Sequence, residues 1–152
     1  MKTKILMVCL GNICRSPLAE GLLKSKLESN DFQIDSAGTG PWHVGNPPDP
    51  RSVEVAKKNG LDITMQRGMQ FNPDFFDTYD HIFVMDQYNY NDVIKQARNQ
   101  HDKDKVQMIL DEIFPGERVD VPDPYNGGRL GFDNVYAMLN EATDKIARRL
   151  QK

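Results

Sequence analysis

The chain has 152 residues, enough for one domain of ordinary size with a proper core. Hydrophobic residues make up 39%, and 19 basic against 22 acidic side chains leave a net charge of −3, so the basic excess of a nucleic-acid binder is missing. The two cysteines are too few for a disulfide framework or a zinc cluster, and His43, His81 and His101 lack ligand spacing, so no metal is expected. The first apolar stretch is too short for a secretory core or a membrane span, which predicts a cytoplasmic protein with no membrane partner.

In chain order, residues 4–8, with Ile5-Leu6-Met7-Val8, read as a buried strand. A polar loop follows, and Ser16 is expected to cap the first helix with Pro17 at its first position. Ala19, Leu22, Leu23 and Leu27 give that helix one apolar face, and Gly21 within it suggests a close packing contact. Gln33-Ile34-Asp35-Ser36 reads as a second strand ended by Ala37-Gly38-Thr39-Gly40. Residues 38–48 form a loop around Trp42, which can be core or the wall of a ligand site. Asp49-Pro50 opens a helix that closes at Asn59-Gly60. Between 61 and 78 only a short helix from Asn72-Pro73-Asp74 stands out. His81 to Met85 is a buried strand, Asp86 caps the next helix, and Tyr90, Val93, Ile94 and Ala97 form its stripe. Residues 98–105 read as polar and solvent-exposed, Val106 to Leu110 as the last strand, and 115–131 as a Pro/Gly-rich loop. Phe132, Val135, Tyr136, Leu139, Ile146 and Leu150 mark a long closing helix. The alternation predicts an α/β fold: a single doubly wound domain over residues 1–152, with a four-stranded parallel sheet and helices on both faces.

The stretch from Cys9 to Ser16 carries the chemistry. A strand, a tight polar loop and a helix start turn successive backbone N–H groups inward, and the helix dipole adds partial positive charge. Cys9 stands at the entry of this anion site and Arg15 at its exit. Arg15 can grip two oxygens of a phosphate with its planar fork while Cys9 sits beneath it. Positive loops of this kind are where thiols become nucleophiles, and Ser16 can donate its hydroxyl to the sulfur. The alternative is an inert buried cysteine at a strand end. That alternative leaves a cation at a helix N-terminus, where the dipole disfavours it. A bound anion removes the difficulty.

Ester cleavage also needs a proton for the leaving oxygen. Asp120-Val121-Pro122-Asp123-Pro124-Tyr125 offers two carboxylates in a proline-stiffened loop, although alone it reads more readily as an exposed turn. Cys14 reads either as a small loop filler or as a thiol that traps an oxidised Cys9 in a disulfide.

Val8-Cys9-Leu10-Gly11-Asn12-Ile13-Cys14-Arg15-Ser16-Pro17 resembles the low-molecular-weight protein tyrosine phosphatase family. So do Ser36-Ala37-Gly38-Thr39, Gly45-Asn46-Pro47-Pro48-Asp49, Met85-Asp86 and Asp123-Pro124-Tyr125, from about residue 4 to the final helix. The resemblance implies that family's flavodoxin-like fold, no cofactor, and hydrolysis of phosphotyrosine and small aryl phosphates through a phosphocysteine on Cys9. Arg15 would clamp the oxyanion, with the amides of Leu10, Gly11, Asn12, Ile13, Cys14 and Arg15 completing the cradle. Asp123, not Asp120, would be the general acid and then the base. Asn12 would hold a left-handed turn through a polar network with Ser36, supported by Ser16 and Gln66. Trp42 and Tyr125 would wall the phenyl ring. The implied partners are phosphotyrosine proteins, a tyrosine kinase among them, for a monomer inhibited by phosphate and vanadate.

The chain departs from the family's His-x-Ala-Arg-Gln run, having Gln66-Arg67-Gly68-Met69-Gln70, and Asn126 follows Tyr125 where many relatives have a second tyrosine. An arsenate reductase of the same fold is disfavoured, because no cysteine follows Cys14. A protein arginine phosphatase favours Thr where this loop has Ile13, and a non-catalytic phosphotyrosine-binding module would be expected to lack Cys9, Arg15 or Asp123.

Overall fold

A computed structural model describes residues 2–125 and 129–151, apart from the Arg129 side chain. Four strands, β1 (Thr3–Cys9), β2 (Phe32–Gly38), β3 (His81–Val84) and β4 (Val106–Met108), form one sheet in the order β2-β1-β3-β4. Every pairing is parallel, so each crossover must pass over a face of the sheet. The helices that make these crossovers are α1 (Arg15–Lys24), α2 (Pro50–Lys58), α3 (Phe75–Thr78), α4 (Gln87–Lys95) and α5 (Gln100–Asp104), with α6 (Arg129–Leu150) closing the chain.

Covering both faces explains the unbroken apolar run of β1, since alternate side chains enter different cores. Ile5, Met7 and Cys9 join Leu18, Leu22, Leu23, Phe132, Leu139 and Ile146 on the side of α1 and α6. Leu6 and Val8 join Phe71, Phe76, Ile82 and Val93 on the side of α3 and α4. The strand at the centre of the sheet is thereby clamped from both sides, and its last residue is Cys9.

At that end β1 and β2 stay in register until Cys9 stands opposite Gly38. A side chain at Gly38 would come within 2.8 Å of the Leu10 carbonyl oxygen and 3.1 Å of the Asn12 nitrogen. Glycine there lets the loop after β1 fold back over the tip of β2. Gly21 likewise faces the Ile63 side chain, and a Cβ on it would lie 2.6 Å from Ile63 Cγ2.

Several boundaries differ from the sequence expectation. The first helix begins at Arg15 with Cys14 at its N-cap and no side-chain cap, because the Ser16 hydroxyl bonds Asn12 and Cys9 instead. The exposed stretch expected at 98–105 contains α5 and a buried carboxylate: Asp102 accepts from the Arg98 backbone at 3.0 Å and from its guanidinium at 2.8 Å. The final strand stops at Met108, and Ile109–Glu112 turns as a 3₁₀ helix. The closing helix starts at Arg129, inside the expected loop, whose residues 126–128 lie outside the described residues. No helix among the described residues is long and apolar enough to cross a membrane.

Candidate active site

The end of β1, the loop behind it and the first turn of α1 form the floor of a cavity of about 280 Å³. Cys9 Sγ receives the Asn12 backbone N–H at 3.2 Å and lies 3.0 Å from Ser16 Oγ. Asn12 has φ 59°, a left-handed conformation that asparagine tolerates better than most residues. Its side chain holds that turn: Oδ1 accepts from the Met69 N–H at 3.0 Å, while Nδ2 donates to Ser16 and Ser36 at 2.8 and 2.9 Å.

Arg15 is 2% exposed. Its Nη1 donates to Asp86 at 2.6 Å and to the Val121 carbonyl at 2.9 Å, which uses both hydrogens of that nitrogen. Nη2 and Nε remain for an anion over the loop. Burial weakens the guanidinium's hold on its proton, but Cys9, Asp86 and Asp123 outweigh burial and keep it charged. The sequence marks Asp86 as a helix cap and as part of the family resemblance, with no role at the site attached to it. It is a cap, with a full capping box on α4, and it is also the anchor that aims Arg15.

Asp123 reaches the cavity rim from the loop between Val121 and Tyr125, half-exposed, with Oδ2 3.7 Å from Arg15 Nη2. Its Oδ1 accepts the Tyr125 N–H at 3.0 Å, which sets the carboxyl's orientation. Asp120 is used elsewhere, accepting the Gln87 N–H at 2.9 Å at the start of α4, and it does not line the cavity over Cys9.

Trp42 and Tyr125 both line the cavity, as does His43, which the sequence did not mark. Trp42 is 65% exposed, which removes the reading of it as core. Its ring lies over Gly40, where any side chain would collide with it. The Tyr125 ring stacks on the Arg51 guanidinium, 5.4 Å away, and Arg51 is held in turn by Asp49, the N-cap of α2. Cys14 also lines the cavity, but burial first, with Asp49, Cys9 and Asp123 adding to it, pushes its thiol up to about 12. Both cysteines are free thiols.

Gln66 does not join the Asn12 network. Its Nε2 donates to the Pro17 carbonyl at 3.1 Å, and its buried Oε1 has no hydrogen-bond partner among the described residues. The Met69 backbone serves Asn12 instead. The residue behind Ser36 is Glu20, which accepts the Ser36 hydroxyl at 2.6 Å. The sequence offered only an i, i+4 Glu–Lys pair as a signal for Glu20, normally the mark of an exposed helix face.

The comparisons with known proteins follow the same lines. Residues 4–152 match the model of a family described as low molecular weight phosphotyrosine protein phosphatase. The chain belongs to that family. The low molecular weight phosphotyrosine protein phosphatase of Schizosaccharomyces pombe is 42% identical over 141 residues, covering 90% of this chain and 89% of that one. A crystal structure of a protein tyrosine phosphatase from Entamoeba histolytica, with Hepes in its active site, superposes with a TM-score of 0.92 at 34% identity, covering 99% and 97% of the two chains. Wzb of Vibrio vulnificus in complex with benzylphosphonate gives a TM-score of 0.87 at 30% identity, covering 98% and 99%. The four-stranded parallel, doubly wound fold is therefore the fold of these phosphatases.

Proposed function

We propose that this phosphatase hydrolyses phosphotyrosine in proteins, and small aryl phosphates, through a phosphocysteine on Cys9. The observation that carries the reading is the convergence of Cys9 Sγ, the Arg15 guanidinium and the Asp123 carboxyl on one cavity with aromatic walls. The Vibrio relative's ligand, benzylphosphonate, has the shape such a cavity suits: an aromatic ring carrying a tetrahedral oxyanion.

In the first half-reaction the sulfur attacks phosphorus in line with the ester oxygen. The P–O bond breaks, and Asp123 delivers its proton to the departing phenolate. Arg15 and the loop amides hold the three equatorial oxygens, supplying the charge stabilisation that other phosphoryl-transfer sites draw from metal ions. In the second half-reaction Asp123, now a carboxylate, takes a proton from water. The water oxygen attacks phosphorus, the S–P bond breaks with its electron pair returning to sulfur, and inorganic phosphate leaves. Phosphate and vanadate are expected to occupy the same cradle as inhibitors.

Acid quench during turnover of p-nitrophenyl phosphate, followed by peptide mapping, tests this. Phosphate should be found on Cys9, and Cys9→Ser should turn over nothing while still binding vanadate. Phosphate on another residue, or turnover by Cys9→Ser, would overturn the assignment.

A further inference from the structure

The loop that carries Trp42 and His43 leaves the phosphate loop at one end and returns to it at the other. Gly40 donates its N–H to the Leu10 carbonyl at 2.9 Å, and Asp49 donates to the Ile13 carbonyl at 2.8 Å. Between those ends Trp42, Val44, Gly45 and Asn46 are all exposed. Among the described residues, two hydrogen bonds tie the backbone of residues 41–48 to another segment, and both go to Gly68. Gly45 donates to the Gly68 carbonyl at 2.8 Å, and Gly68 donates to the Asn46 carbonyl at 2.8 Å.

Gly68 is itself fixed from the opposite side. Its neighbour Met69 donates to Asn12 at 3.0 Å and accepts the Gly38 N–H at 2.7 Å, and Phe71 beyond it is in the core. A β-carbon on Gly68 would collide with the His43 carbonyl oxygen and lie 3.5 Å from Val44 Cα. Both are backbone atoms, so no change of rotamer relieves the contact. Gly68 is not among the left-handed glycines, so it is the close approach of the loop, not the local conformation, that excludes a side chain. The exposed loop, held by two hydrogen bonds, is the partner that would back away.

The rings that line the cavity ride on this loop. Trp42 lies over Gly40, and a β-carbon on Gly11 of the phosphate loop would meet His43 Cδ2 at 3.1 Å. We propose that Gly68 is a positioning residue that sets the width of the aryl slot. Without a side chain there, the Trp42–His43 loop closes over the phosphate cradle, and the slot fits a single phenyl ring. This deepens the proposed function and rests on it.

The test compares Gly68→Ala with the wild type on phenyl phosphate and 2-naphthyl phosphate, with inorganic phosphate as inhibitor. KM for phenyl phosphate should rise about tenfold, the scale of one lost aromatic contact, while kcat moves far less. KM for 2-naphthyl phosphate should rise less, because the wider slot admits the larger ring. Inhibition by inorganic phosphate, which fills the cradle without touching the wall, should stay as it was. Trp42 is the one tryptophan of the chain, so acrylamide quenching reads the wall directly and should be stronger in the variant. With Trp42→Ala and His43→Ala already in place, Gly68→Ala should raise KM no further. Equal losses on both esters, weakened phosphate inhibition or a further loss in the triple variant would overturn the proposal. Should Gly68→Ala fail to fold, the anisotropy decay of Trp42 in the wild type decides. A ring held still without ligand supports a wall seated in advance, and fast motion that stops only on adding phenylphosphonate overturns it. A wild type that cleaves neither ester would instead overturn the function proposed above.

Discussion

Asp120 and Asp123 lie in one proline-stiffened loop, and composition alone cannot separate them. Their neighbours do: Asp120 is tied to the α4 backbone, while Asp123 faces the cavity beside Arg15. Asp123→Ala should therefore slow a phenyl phosphate, whose leaving oxygen needs a proton, by about 10²–10⁴. It should slow p-nitrophenyl phosphate far less. Equal losses on both esters, or a larger loss from Asp120→Ala, would mean another residue supplies the proton. Cys9 and Cys14 divide in the same manner. Both line the cavity, but Cys14 is 4% exposed with its thiol pushed up to about 12, so it stays protonated at neutral pH. Iodoacetate at pH 7 should place a single label on Cys9, and a second label on Cys14 would show that its burial is not maintained in solution. At this scale the sequence revealed those residues whose chemistry is unusual for their position, such as an arginine at a helix start. It attached no site role to Asp86, Glu20 or His43, because an N-cap, an i, i+4 pair and a loop histidine each have an ordinary use.

The same division holds for the elements. Apolar runs with caps were legible: β1, α2 behind Asp49 and α4 behind Asp86 begin within a residue or two of where pattern and cap residue placed them. The start of α1 was misplaced because the usual capping side chain, Ser16, is committed to the loop, a tertiary use that local chemistry does not show. The α5 turn carries no apolar signal, because its stabilising contact is the ion pair of the exposed Arg98 with the buried Asp102 rather than an apolar face. Gly21 shows how packing overrides propensity within an element. Alanine there should gain about 1 kcal/mol from helix propensity. Its Cβ would sit 2.6 Å from Ile63 Cγ2, and overpacking of a tight core contact costs about 1–3 kcal/mol. Gly21→Ala should thus be neutral to destabilising, by up to about 2 kcal/mol in urea unfolding. A gain in stability would mean that Ile63 yields freely. Adding Ile63→Val, which keeps Cγ2-like branching but shortens the side chain, should recover only part of any loss.

For the whole molecule the buried ionisable groups set how stability varies with pH. Asp49 and Asp102 lie below the ordinary carboxylate range: burial raises Asp49, but its bonds to Arg51 outweigh this, and the bonds to Arg98 dominate at Asp102. The unfolded chain binds protons at these sites before the folded one does. Their contribution is present above the ordinary carboxylate range and is lost as pH falls through the folded values. On the alkaline side the sign reverses. Cys14 rises from 9.0 to about 12, chiefly through burial, and burial with the Asp35 hydrogen bond pushes Tyr79 up as well. Between the unfolded and folded values the unfolded chain has lost these protons and the folded chain keeps them, so stability drains away as pH rises from about 9. For Cys14 alone the full span corresponds to on the order of 4 kcal/mol. Urea midpoints at pH 8 and pH 10.5 should therefore fall in the wild type and fall less in Cys14→Ser, whose hydroxyl does not titrate in this range. Parallel declines in the two proteins would assign the alkaline loss to groups other than Cys14, Tyr79 first among them, and would leave Cys14 an ordinary thiol in an open loop.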